Sequence, residues 1–155
     1  MCFGNEYDGL HLEQLTDTTN NELIIVISLT KRVETFLDSL GYVEPENNLK
    51  LLSDTTQLTS DGSQIYKIYF ENYIMYQGRN ESYAFENKNE FSIGQGLVLF
   101  KKSKLLDFIC ECADIDLAMA MHKKTQLRHY GVYTLNNMID IVTFYEPTIE
   151  KLSLS

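Results

Sequence analysis

The sequence predicts an α+β fold in which a central, mainly antiparallel sheet carries two principal helices. Three observations predict it. Gln64 to Lys101 is rich in Tyr, Ile, Phe and Val and is broken by turn residues; apolar residues recur at helical spacing on either side of that tract; and two apolar segments close the chain around Asn136-Asn137. A chain of 155 residues suits one domain over 1–155, and neither Pro45 nor Pro147 sits in a linker-like stretch. With 44% hydrophobic and 23% charged residues the composition is that of a globular domain, able to bury a core without disulfide or metal support.

Taken in order, residues 22–40 form the first expected helix. Thr19-Asn20-Asn21-Glu22 has capping-box spacing, positions 26, 29, 33, 36, 37 and 40 form an apolar stripe, and Gly41 would stop it. The β-branched run Leu23-Ile24-Ile25-Val26-Ile27 supports a rival in which a strand comes first and helix starts near Thr30, and the sequence leaves both open. Pro45-Glu46-Asn47-Asn48 and Thr59-Ser60-Asp61-Gly62-Ser63 are turn-rich and bracket a short strand from Leu49 to Ser53. Strands are expected near 64–70, 73–77, 82–86 and 96–101. Ser103 caps the second helix, 104–121, with room for a break between Cys110 and Asp116. Tyr130 to Leu135 and Met138 to Phe144 then form a hairpin, because Asn136-Asn137 tolerates positive φ.

Charge narrows the function. The net charge is -9 and the pI about 4.7, which disfavours binding a nucleic-acid backbone and favours a basic partner. Residues 1–77 hold 12 acids against 4 bases, and residues 1–30 contain Glu6, Asp8, Glu13, Asp17 and Glu22 with no Lys or Arg. The longest apolar run, Leu23 to Ile27, is far below the roughly 20 residues that cross a bilayer, so no membrane association is expected. The start lacks a basic and apolar leader, and Cys2, Cys110 and Cys112 suit reduced thiols, so the expected location is cytoplasmic.

Chemical motifs are sparse. Cys110-Glu111-Cys112 with His122 and His129 offers zinc-type donors, but residues two apart on a helix point about 200° from each other. No metal and no cofactor is expected, and the thiols are expected to be buried. Gly94-Gln95-Gly96 precedes a strand pattern rather than a helix, so a turn or bulge between strands is expected and not a phosphate loop. Glu81, Glu86 and Glu90 fit an exposed edge. Of the histidines, His129, beside Arg128 and Tyr130, and His122 could serve a small enzyme as acid or base on a nucleotide or other small substrate.

Ten tyrosines without a single Trp are a biased aromatic supply, and tyrosines beside acids suit interface anchors. The candidate partner-binding set is therefore Glu44, Glu46, Asp54 and Asp61 as steering charges with Tyr66, Tyr69, Tyr73 and Tyr76 as anchors. The acidic start from Glu6 to Glu22, the tyrosine-rich strands from Tyr66 to Phe85 and the closing segment from Tyr130 to Phe144 give the chain a look that resembles the immunity proteins of bacterial contact-dependent and other polymorphic toxins. The resemblance implies a stoichiometric cytoplasmic inhibitor that binds a cognate toxin domain, often a basic nuclease, and has no catalytic residues of its own. A DNA-mimicking regulator would share these features, and the small enzyme is the reading from another class.

Overall fold

The computed structural model describes residues 7–32, 58–84 and 88–153. Nine strands and two helices follow one another as β1 (Gly9–Asp17), β2 (Leu23–Arg32), β3 (Leu58–Phe70), β4 (Tyr73–Asn80), β5 (Phe91–Gln95), β6 (Leu97–Lys102), α1 (Lys104–Cys112), α2 (Ile115–His122), β7 (Arg128–Tyr133), β8 (Asn137–Thr143) and β9 (Thr148–Leu152). The α+β class holds, but in place of one sheet the strands form two, both antiparallel: sheet A in the order β1-β2-β3-β9 and sheet B in the order β4-β8-β7-β6-β5.

The rival reading of Leu23 to Ile27 as a strand holds, and the helix expected over 22–40 is corrected where described: 23–32 is strand β2, Thr30 to Arg32 included, and residues 33–40 lie outside the described residues. Leu23, Ile25 and Ile27 are buried while Ile24 and Val26 are half-buried, so the period of two in this β-branched run wins over the helical stripe. The residues that imitate a capping box are instead the β1–β2 turn. Asn21 takes φ 59°, Thr18 N donates to Glu22 O at 2.9 Å, and Thr18 Oγ1 donates to Glu22 Oε2 at 2.9 Å. Side chains that cap helices also close turns, which is why the two look alike in sequence.

Strand β1 is absent from the sequence expectation because its alternation is interrupted. A register shift between Leu12 and Gln14 makes Glu13 a bulge, so Leu10, Leu12 and Leu15 do not keep a period of two. The strand expected at 82–86 is also corrected: Glu81–Tyr83 is a 3-10 turn capped by Asn80, and residues 85 and 86 lie outside the described residues. The strand expected at 49–53 falls outside them as well. Gly94 and Gly96, at φ 113° and 71°, close the β5–β6 hairpin as the turn the glycines predicted.

The expected 104–121 helix is two helices. Ser103 caps α1 by accepting from Leu105 N and Leu106 N at 3.1 and 3.2 Å; Ala113 and Asp114 leave the helical region, and Asp114 caps α2 through Leu117 N at 3.0 Å. Lys123, left-handed at φ 52°, ends α2. The hairpin near Asn136-Asn137 forms, though not by positive φ in those residues. Thr134 Oγ1 donates to Asn137 O and accepts from Asn137 N, so the threonine closes the turn.

The main core lies between the sheets. Leu23, Ile25, Ile27, Ile68 and Phe70 of sheet A meet Leu97, Val132, Ile139 and Ile141 of sheet B. A second apolar cluster joins Ile109 and Ile115 of the helices to Val142 of β8, with Met75 and Leu127 against them. Sheet B thus packs on both faces, and β7 and β8 are buried in unbroken runs over 129–132 and 139–144. Among the described residues, no helix is long and apolar enough to cross a membrane.

Candidate functional site

Polar side chains gather in two places, one at the edge where the β1–β2 turn of sheet A meets β4 of sheet B and one inside sheet B.

The surface cluster is built around the β1–β2 turn. Antiparallel pairing brings the end of β1 and the start of β2 beside the end of β3, and the chain then steps through Asn72, at φ 47°, into β4. Tyr73 N donates to Asn21 O at 3.3 Å, which ties the step to the turn. As a result Tyr69 OH donates to Glu22 Oε1 at 2.6 Å, Tyr73 OH to Asp17 Oδ1 at 2.8 Å and Tyr76 OH to Asp17 Oδ2 at 3.5 Å. The Tyr73 and Tyr76 rings meet edge to face, 5.2 Å between centroids. All three tyrosines are half-buried and Asp17 is exposed.

Electrostatics follow the pairing. The bond from Tyr69 and that from Thr18 hold the Glu22 carboxyl below its ordinary value. The same bond to Glu22 pushes the Tyr69 hydroxyl up to about 12, and burial, with Asp17 as second cause, does likewise for Tyr73. The shifts keep the proton on the Tyr69 and Tyr73 phenols and the charge on Glu22. The rings are therefore held in place, with a negative charge beside them at the surface.

Of the sequence-predicted anchors, Tyr69 bonds Glu22 on one face of sheet A, while Tyr73 and Tyr76 bond Asp17 on the other and pack against the core. Tyr66 also packs against the core but bonds neither carboxylate, and the Lys151 ammonium lies 5.8 Å from its ring centroid. Asp61 lies in the β3 backbone opposite Leu29. Glu44, Glu46 and Asp54 lie outside the described residues. The sequence missed Asp17 and Glu22 as individual site residues, although both belong to the acidic run that it singled out.

The internal cluster centres on His129. Ser103 Oγ lies 2.6 Å from His129 Nδ1, and His129 Nε2 lies 3.1 Å from Asp140 Oδ1. Asp140 Oδ2 accepts from Arg79 Nη2 at 3.1 Å and Gln77 Nε2 at 3.2 Å, and Phe100 stacks on the imidazole at 4.0 Å. Burial alone would raise the Asp140 pKa, but His129, Arg79 and Gln77 together hold it below the usual carboxylate value. Burial, with the Asp140 charge second, pushes the neighbouring Tyr133 hydroxyl upward.

A serine, an imidazole and a carboxylate in line suggest nucleophilic catalysis, but the bonding points elsewhere. Ser103 Oγ already accepts two helix amides, which fills both lone pairs and leaves its proton to donate to Nδ1. That fixes His129 as the Nε2–H tautomer, donating to Asp140. A nucleophile needs an open lone pair and access, and Ser103, His129 and Asp140 are only 4, 2 and 1% exposed. The network fastens the start of α1 to sheet B. His122, by contrast, is half-buried at the end of α2, with Nδ1 3.2 Å from Tyr145 OH.

The cysteine expectation is corrected: Cys110 and Cys112 are exposed on α1, where that short helix packs through Ile109 instead. Among the described residues no group of three His, Cys, Asp or Glu side chains could hold a metal ion. The chain matches no family model, no curated protein and no solved structure.

Proposed function

We propose that the protein is a stoichiometric inhibitor that binds a basic partner, in the manner of an immunity protein neutralising a cognate toxin domain in the cytoplasm, and that it has no turnover of its own. The observation that carries this reading is that two carboxylates at the edge of sheet A each hold half-buried tyrosines, Glu22 holding Tyr69 and Asp17 holding Tyr73 and Tyr76, in a chain of net charge -9. Tyrosines held by carboxylates lose little freedom on binding, so their contact area converts to affinity efficiently. Lys or Arg side chains of a partner can bond Asp17 and Glu22 while lying over the rings. The field of the acidic surface speeds encounter with such a partner.

The reading is tested by expressing the protein with the products of the genes that flank its own and asking whether it neutralises a toxic basic one. Rescue of growth by the wild type, lost with the double variant Asp17→Lys, Tyr73→Ala while folding is kept, supports it. Rescue that the double variant leaves intact removes this surface from the mechanism, and absence of any rescue or complex removes the function.

A further inference from the structure

We infer that the cleft between β6 and β7 is a binding site for a small amphipathic anion, a carboxylate carrying a short hydrocarbon chain. β6 runs on to Lys102 and β7 begins at Arg128, yet the ladder between them ends where Phe100 faces His129. Beyond that pair the strands part, and a cavity of about 330 Å³ opens among Leu99, Lys101, Leu106, Gln126, Leu127 and Arg128. Its charged side chains are both cations, and neither Asp nor Glu lines it. An anion is the complement of that wall.

A second cavity of about 330 Å³ adjoins the first, sharing Leu99 and Arg128, and its wall is apolar through Ile93, Leu97, Tyr130 and Pro147. Cavities of this size suit a small ligand. Glu146 is the one acid there, and Arg128 Nη1 donates both to its carboxylate and to Tyr130 OH. A guanidinium has five N–H donors in a fixed fork, so those on Nη2 and Nε remain to face an anion. Arg128 thus stands between a cationic compartment and an apolar one. A ligand with a carboxylate head and an aliphatic body matches both halves at once, with Lys101 and Arg128 on the head and Ile93, Leu97 and Pro147 on the body. The site is separate from the acid–tyrosine surface and does not depend on what that surface binds.

Calorimetric titration of the full chain with octanoate, octanol and octylamine tests it, with amide resonances recorded alongside. Octanoate should bind once per chain, at least about tenfold more tightly than octanol, because a charge-assisted hydrogen bond contributes about that factor. Octylamine should not bind, and octanoate should shift the amides of Leu99, Gln126 and Leu127. Lys101 and Ile93 are exposed, so Lys101→Glu and Ile93→Trp should keep the melting temperature while each weakens octanoate about tenfold. Octanol binding as well as octanoate, resonance shifts elsewhere, affinity that survives both variants, or no binding at all would each overturn the assignment. Co-sedimentation with phosphatidylglycerol vesicles without octanoate binding would overturn it too, in favour of a membrane surface.

Discussion

The edge where the β1–β2 turn meets β3 and β4 and the interior of sheet B make the same kind of polar contact in opposite surroundings. At the edge, Tyr69 of sheet A donates to Glu22, and Tyr73 and Tyr76 of sheet B donate across to Asp17; inside sheet B, a hydroxyl, an imidazole and a carboxylate form a chain whose Ser103, His129 and Asp140 are at most 4% exposed. Water screens the first set, so each pair adds little to stability and remains open to a partner. The second set has no water to fall back on, so breaking it strands buried donors and acceptors. Exposure, more than the residue types, separates a surface available for recognition from a network committed to the fold.

The comparison breaks if removing a carboxylate costs the same in both places. Asp140→Ala should lower the unfolding free energy by about 3–5 kcal/mol, since it leaves His129 Nε2–H, Arg79 and Gln77 without their acceptor. Asp17→Ala should cost less than about 1 kcal/mol in the same urea titration. Between these falls Ser103→Ala, expected at about 1–2 kcal/mol, because it uncaps α1 and removes the donor to His129. A fluorophosphonate probe should leave Ser103 unlabelled; stoichiometric labelling there would show an open nucleophile.

Titration sharpens the contrast further. Asp140 and Glu22 have folded pKa values below their ordinary 3.8 and 4.5, so their contributions are present above those values and vanish as pH falls through the lowered ones. Buried Asp140 should dominate this acid loss, and Asp140→Asn should flatten the stability profile below about pH 4. Tyr69 and Tyr73 shift the other way. Their contribution is complete below pH 10 and is lost as pH rises through about 12, so tyrosinate absorbance at those two positions should lag that of the unfolded chain by about two pH units. Tyr69→Phe and Tyr73→Phe should each remove one late-titrating group.

What the sequence disclosed divides along the same line. β6, β7, β8 and the glycine turn of 94–96 were legible because apolar runs and glycines express burial and turn geometry locally, whereas β5, whose residues are mostly exposed, was not. β1 was hidden by the bulge at Glu13, and β2 was only half legible, since its β-branched run pointed to a strand while a turn whose Thr, Asn and Glu imitate a helix cap pointed to a helix. Two sheets instead of one could not be foreseen, since the crossings at Asn72 and between β8 and β9 are tertiary decisions. In the surface site the tyrosines and the acidic run were each visible, but their pairing depends on strand register. Asp140 was the missed clue to the internal network: an acid within Met138-Ile139-Asp140-Ile141-Val142 must find a buried partner.

The most direct test of the acid–tyrosine surface is stopped-flow association with the partner class proposed above, a basic toxin domain that the protein captures, at about 50 and 500 mM salt, a range in which exposed charges pass from weakly to strongly screened. The expected result is an association rate that falls more than about tenfold with salt while dissociation scarcely changes; Asp17→Lys lowers that rate at low salt, and Tyr73→Ala speeds dissociation. A complex whose association ignores salt, and whose rates neither Asp17→Lys nor Tyr73→Ala alters, would contradict it.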